Sequence, residues 1–131
     1  MKKIIIATVS ICVLLISGCR KDTTLTIKDE LVTVTKKVSF SKDIVPIFKK
    51  SCAISGCHGT GGKAPNLTEE KAYNSLMNKA DYIDLKNAEN SGLFKRLIGK
   101  LSPAMPMGSA SNPSNINGLV LAWIKQGAKN N

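Results

Sequence analysis

Two thiols and an imidazole follow one another closely in the stretch Cys52-Ala53-Ile54-Ser55-Gly56-Cys57-His58. In the pattern Cys-x-x-Cys-His, each cysteine sulfur adds to a vinyl group of haem, and the histidine gives a ring nitrogen to the iron. Four residues separate the cysteines here instead of two, which is a less common spacing. The stretch therefore predicts one covalently attached haem c, with Cys52 and Cys57 as the thioether sites and His58 as the proximal iron ligand.

The second axial ligand must be another residue type, because His58 is the only histidine in the chain. Methionine sulfur is the leading choice. Met105 and Met107 both lie in a late segment where Pro103 and Pro106 stiffen the backbone, which lowers the entropy cost of forming a weak Met–iron bond. Residues two apart in an extended loop point to similar sides, so the pattern leaves both methionines open as the distal ligand.

The first 18 residues have the anatomy of a secretory signal. Lys2 and Lys3 precede an apolar run over residues 4–16, which is too short to span a bilayer. The segment Leu15-Ile16-Ser17-Gly18-Cys19 resembles a bacterial lipobox, which implies cleavage before Cys19 and acylation of its thiol. We therefore expect an exported lipoprotein, anchored in a membrane through Cys19 and facing the periplasm or the cell surface.

Export limits what Cys52 and Cys57 can be, because oxidising compartments favour a disulfide or a covalent adduct over free thiols. A disulfide between them would make the chain a haem-free lipoprotein that acts as an interaction module. Such a disulfide does not require a histidine directly after Cys57. The presence of His58 therefore favours haem attachment.

The chain is strongly basic, with a formal net charge of +10 over 131 residues. Loss of Lys2 and Lys3 with the signal lowers this charge to +8, and two haem propionates would lower it further. A basic surface suits acidic redox partner proteins or an anionic membrane surface, although it also serves solubility alone. Nucleic acid is not expected as a partner of an exported lipoprotein, and the sequence has no base-stacking motif.

The mature chain divides into two parts. Residues 19–39 are rich in Lys and Thr with loose apolar alternation, which predicts a lipidated N-terminus and an extended tether, or a strand. As a tether of about twenty residues, this segment would reach at most roughly 60–70 Å. Residues 40–131 are long enough for one domain and carry apolar residues at helical spacing, which predicts a small all-α domain.

Four helices are expected in this domain. The first contains Asp43 as its cap and runs into Cys52, and the second follows Thr68 as its cap. The second helix carries Met77 on its packing face, so Met77 is expected in the core and not at iron. A third helix spans residues 91–98, and the last begins with Asn112 as its cap and ends near Gly127.

Three segments of the domain match a known set of motifs. The segment Phe40-Ser41-Lys42-Asp43-Ile44-Val45-Pro46-Ile47-Phe48 has the form Ile-x-Pro-Ile-Phe, Met105-Pro106 begins the form Met-Pro-x-Gly, and Trp123-Ile124-Lys125-Gln126-Gly127-Ala128 has the form Trp-Ile-x-x-Gly-Ala. Over residues 40–128 the chain resembles a class I monohaem cytochrome c, of the type found as bacterial lipoprotein cytochrome c domains.

The resemblance implies a cytochrome c-like helical fold around one haem, with Met105 as the distal ligand and Met107 as the second choice. It also implies a membrane-anchored electron carrier or a subunit of a redox complex, because iron held by His58 and Met105 has no open site for oxygen or peroxide. The alternative is a haem peroxidase or a gas-sensing domain, in which a labile Met105 leaves the iron vacant.

Overall fold

The computed structural model describes residues 31–108 and 112–131, and these residues form helices without strands. The elements are a π-helical turn (Phe40–Ile44), α1 (Val45–Ser51), α2 (Ala72–Met77), a short 3-10 helix (Ala88–Asn90), α3 (Gly92–Leu97) and α4 (Ser114–Lys125). The all-α fold class is confirmed for this part of the chain. No helix within these two ranges has both the length and the apolar character needed to cross a membrane. The predicted signal over residues 1–18 and the predicted lipidation site Cys19 lie outside the described residues.

Phe40 connects the first helical segment with the last helix. Its ring centroid lies 5.0 Å from that of Trp123, 5.4 Å from that of Tyr73 and 6.3 Å from that of Phe48. Trp123 is only 1% exposed, and its indole N–H donates to the carbonyl of Lys129 at 2.9 Å. Aromatic pairs at such distances contribute about 0.5–1.5 kcal/mol beyond the area that they bury. The π-helical turn, α1, α2 and α4 therefore share one aromatic core.

The first helical segment begins earlier than the sequence predicts. Ser39 is its N-cap, and the Ser39 hydroxyl accepts a hydrogen bond from the backbone N–H of Lys42 at 3.3 Å. Asp43 reaches back instead, accepting the N–H of Ser39 at 2.8 Å and pairing with Lys36 at 2.7 Å. The prediction of Asp43 as the cap is wrong, because its carboxylate takes the reciprocal role of a capping box.

The α2 and α4 helices begin without side-chain caps. The hydroxyl of Thr68 donates to Oδ1 of Asn66 at 2.8 Å, away from the first turn of α2. The amide of Asn112 donates to two backbone carbonyls outside α4. The predictions of Thr68 and Asn112 as caps are therefore wrong, because Thr68 bonds to a residue of the preceding loop, and Asn112 bonds to the last residue of α3 and to Met105.

Residues 31–38, here called the strap, pack across α4 without regular secondary structure. Gln126 holds the strap: its Oε1 accepts the N–H of Val38 at 2.8 Å, and its Nε2 donates to the carbonyl of Lys36 at 3.0 Å. A Cβ on Gly118 of α4 would collide with the backbone of the strap, so this close approach requires glycine. The later part of the predicted tether thus packs against the helical domain.

Candidate functional site

Cys52 follows α1 directly, and the chain then turns back on itself as far as His58. The backbone N–H of His58 donates to the carbonyl of Cys52 at 3.1 Å, and that of Cys57 donates to the carbonyl of Ile54 at 3.1 Å. Cys52 is half-buried, Cys57 is exposed, and the two sulfurs are not bonded to each other. The turn therefore brings both thiols and the imidazole together despite the four residues between the cysteines.

The two thiols differ in environment. Burial raises the pKa of the Cys52 thiol to about 11, and the neighbouring Cys57 adds to this rise. Because the thiolate is the reactive form of cysteine, the higher pKa makes Cys52 a poor nucleophile near neutral pH. Cys57 is open to solvent. Reagents dissolved in water therefore reach Cys57 more readily than Cys52.

A glycine-rich segment wraps tightly around this turn. A Cβ on Gly62 would collide with the carbonyl oxygen of Cys57, and a Cβ on Gly59 would lie 2.9 Å from the carbonyl oxygen of Ala53. The backbone N–H of Lys63 donates to the same carbonyl of Cys57 at 2.7 Å. Glycine at these two positions lets backbone pack directly on backbone, which fixes the shape of the turn.

The ring of His58 is held in one orientation by backbone carbonyls. Its Nδ1 lies 3.0 Å from the carbonyl oxygen of Pro65 and 3.1 Å from that of Lys63. Carbonyl oxygens only accept hydrogen bonds, so Nδ1 carries the proton and donates it. In the neutral imidazole this tautomer leaves the lone pair on Nε2. Histidines that bind a metal through one ring nitrogen are commonly oriented in this way, by a hydrogen bond from the other ring nitrogen to a carbonyl or carboxylate. The imidazole is therefore prepared to give Nε2 to a metal.

His58 and Met105 line the same cavity, which has a volume of about 230 Å³. The other lining residues are Lys63, Ala64, Pro65, Leu67, Leu76, Tyr82, Leu93, Arg96 and Pro103. Most of this lining is apolar, and two cationic side chains supply positive charge at the site. A mostly apolar cavity with a few polar groups is typical of sites for small molecules and cofactors.

The three methionines of the described residues lie in different surroundings. Met105 is half-buried and lines the cavity. Met107 is 67% exposed and lies outside the lining of that cavity. Met77 is partly buried and packs against the hydrophobic core. Of the two methionines that the sequence leaves open as a ligand, Met105 is the one that lines the same cavity as the imidazole of His58.

Arg96 is a residue of the site that the sequence analysis does not single out. It lines the cavity, its Nη1 donates to the carbonyl of Pro103 at 3.0 Å, and its own carbonyl accepts the N–H of Met105 at 2.9 Å. The sequence does set this residue apart, because Arg96 is the only arginine in residues 21–131, where every other basic side chain except His58 is a lysine. Arginine is favoured where a rigid, multiply donating cation is needed.

The described residues thus place two thiols and an imidazole on one turn, and a thioether in the cavity that the imidazole lines. Neither the protein-family models, nor the curated proteins, nor the solved structures give a significant match to this chain. The resemblance to cytochrome c therefore stays a prediction from motifs, and any assignment of function depends on the chemistry of the site itself.

Proposed function

We propose that this protein is a monohaem cytochrome c that carries single electrons. The observation that supports this best is the position of His58 and Met105 in the lining of one cavity, with Nδ1 of His58 engaged by backbone carbonyls. An imidazole and a thioether are the pair of axial ligands found in electron-carrying cytochromes c. The chain would then hold the iron by two side chains far apart in sequence.

The residues of the site fit a covalently attached haem. The apolar lining of the cavity suits the porphyrin, and Lys63 and Arg96 suit its two propionates, since charge-assisted hydrogen bonds to carboxylates are strong. Cys52 and Cys57 do not line this cavity, but both lie on the turn that ends at the lining residue His58, and from there they would serve the same haem. Each S–H would add across one vinyl group, forming a C–S bond and a C–H bond with no net change in oxidation state.

When bound, the haem supplies one-electron exchange between ferric and ferrous iron. His58 and Met105 would hold the iron, and with both bound no site on it would remain open for oxygen or peroxide. A soft thioether favours the ferrous state, and an apolar surrounding disfavours the additional positive charge of the ferric state. The midpoint potential is therefore expected to be positive, as suits a carrier between redox proteins and not an enzyme.

The proposed membrane anchor is the lipid on Cys19, which places the carrier at the periplasmic side or at the cell surface. Because the strap packs on α4, residues 20–30 remain to link Cys19 to the domain, and eleven residues span at most about 40 Å. This reach is shorter than the roughly 60–70 Å expected for the whole predicted tether. The carrier would then exchange electrons with redox partner proteins, in particular acidic ones, close to the same membrane.

Expression of the full chain with cytochrome maturation machinery tests the proposal. We expect the pyridine haemochrome spectrum of haem c, a mass increase of one haem on the mature polypeptide, and a positive midpoint potential. The double variant Cys52→Ala/Cys57→Ala should lose the covalent haem, whereas Cys12→Ala should keep it because Cys12 lies in the predicted signal. Colourless protein with a Cys52–Cys57 disulfide would replace the proposal with the haem-free interaction module.

The ligand set is tested on the same material. Met105→Ala should abolish the red-edge Met–iron absorbance of the ferric protein, and Met107→Ala should retain it. Tight binding of carbon monoxide by the ferrous wild type would instead favour a peroxidase or a gas sensor. A midpoint potential well below zero would contradict ligation by methionine.

A further inference from the structure

Asn112 precedes α4, yet its side chain binds two segments outside that helix. Its Nδ2 donates to the carbonyl of Leu97 at 3.0 Å and to the carbonyl of Met105 at 2.6 Å. The residue is 6% exposed, so water does not readily replace these bonds. The amide therefore uses both of its protons to join the end of α3 to the segment that carries Met105.

The backbone of Met105 is held on both sides. Its N–H donates to the carbonyl of Arg96 at 2.9 Å, and its own carbonyl accepts the bond from Asn112. Pro106 follows, and its ring limits the backbone angles that Met105 can adopt. The direction of a Cα–Cβ bond follows from the two peptide planes that flank it. Fixing both planes therefore fixes the direction in which the Met105 side chain leaves the backbone.

We propose that Asn112 is a positioning residue for Met105, holding the carbonyl of Met105 so that its thioether stays at the cavity that His58 also lines and could hold the haem iron there. This inference rests on the proposed function. A side chain without the amide would remove the bonds that the carbonyls of Leu97 and Met105 accept from Asn112, and would release the Met105 carbonyl. Because the Met–iron bond is weak, the released methionine would leave the iron for a larger fraction of the time.

A purely structural role is the competing explanation, and Gln126 provides a matched control for it. The Gln126 side chain also makes two hydrogen bonds to backbone groups, but these join the strap to the end of α4. Gln126→Ala therefore removes two side-chain to backbone bonds without touching the Met105 segment. Comparing Asn112→Ala with Gln126→Ala separates a loss of stability from a loss of ligand positioning.

The experiment uses the full-length protein with its covalent haem. The red-edge Met–iron absorbance, carbon monoxide binding to the ferrous form and the midpoint potential are measured beside the free energy of unfolding in urea. In Asn112→Ala the ratio of detached to bound methionine should rise about tenfold, the effect of one lost hydrogen bond. Carbon monoxide binding should increase, and the midpoint potential should fall. Gln126→Ala should lose stability and keep all three haem properties.

Asn112→Ser keeps one hydroxyl donor and is the second variant, in case Asn112→Ala does not mature. It should give a change in the same direction of about threefold. Unchanged haem properties in both Asn112 variants, or equal changes in Gln126→Ala, would overturn the inference and leave the proposed function standing. Wild-type protein without haem would instead overturn the proposed function itself.

Discussion

The two loops that meet at the cavity are held in different ways. The histidine loop, residues 52–67, is closed by its own backbone, since the N–H of His58 donates within the turn and its carbonyl accepts the N–H of Leu67 at 2.8 Å. The methionine loop, residues 99–108, is held from outside, through the backbone and guanidinium of Arg96 and the amide of Asn112.

This difference implies that the two proposed ligands, His58 and Met105, respond differently to substitution. Backbone bonds within one short loop do not depend on any particular side chain, so the histidine loop is sensitive where a side chain would enter its backbone contacts. The methionine loop is held by backbone bonds to Lys95 and Arg96 and, in addition, by the side chains of Arg96 and Asn112, so its geometry should change when one of these side chains is removed. Of the two proposed ligands, the histidine is thus the constant one, and the methionine is the one that the surrounding sequence can adjust.

The largest expected effect is that of Gly62→Ala in the histidine loop. The added Cβ collides with the carbonyl oxygen of Cys57, so the loop must open or shift. Overpacking of this kind costs about 2–3 kcal/mol of unfolding free energy, to be measured in urea. The fraction of Gly62→Ala protein that acquires covalent haem during maturation should also be lower than in the wild type.

Gly61→Ala is the matched control for this variant. Gly61 has a φ of +73°, and a Cβ there meets nothing within 4 Å. Its substitution should therefore cost only about 1 kcal/mol, from the unfavourable φ alone. Equal losses of stability in the two variants would show that the backbone contact at Gly62 does not hold the loop.

A second prediction concerns the two thiols of the histidine loop in protein made without haem. Iodoacetamide should alkylate Cys57, measured in Cys52→Ser, at least about tenfold faster at pH 8 than it alkylates Cys52, measured in Cys57→Ser. The reason is that Cys52 is half-buried with a pKa raised to about 11, while Cys57 is exposed. Equal rates would mean that the haem-free chain does not hold this turn.

The sequence predicts the parts of the molecule that depend on local pattern. The apolar spacing around Phe94 and Trp123 locates two helices, and the order Cys52, Cys57, His58 locates the turn. What the sequence does not predict are choices made by polar side chains among distant partners. Gln126 binds the backbone of Val38, 88 positions away, and nothing in either segment alone indicates that pairing.

The same limit explains the wrong caps. Asp43, Thr68 and Asn112 each have the side chain and the position that a helix cap requires, and each makes a different hydrogen bond. An N-cap side chain stabilises a helix by about 1 kcal/mol. One buried hydrogen bond to another part of the chain stabilises the fold by a similar amount, so it can compete with capping. The tertiary contact decides, and for Asn112 the contact that decides is also the one that holds the methionine loop.

The smallest expected effect is a dependence of stability on pH that belongs to neither loop. Residues 52–67 and 99–108 contain no Asp or Glu, whereas Asp43 lies at the start of the helical domain. The hydrogen bond from Lys36, followed by that from the N–H of Ser39, lowers the pKa of the Asp43 carboxyl. Because the pKa is lower in the folded than in the unfolded chain, the ionised carboxylate of Asp43 stabilises the fold at pH values above the ordinary pKa of Asp, near 4. This stabilisation is lost as the pH falls through the lowered pKa of the folded protein.

Asp43→Asn should therefore be less stable than the wild type at pH 7, with a difference that shrinks as the pH falls from about 5 to below 4. Urea unfolding across this range measures the difference, and Lys36→Ala should reduce it because the largest cause of the lowered pKa is gone. The haem spectrum should be the same in Asp43→Asn and the wild type at pH 7, because Asp43 bonds to Ser39 and Lys36 and to neither loop. A loss of the Met–iron absorbance in Asp43→Asn would show that the methionine loop is coupled to the start of the domain. The position of Met105 would then depend on the region around Asp43 as well as on Arg96 and Asn112.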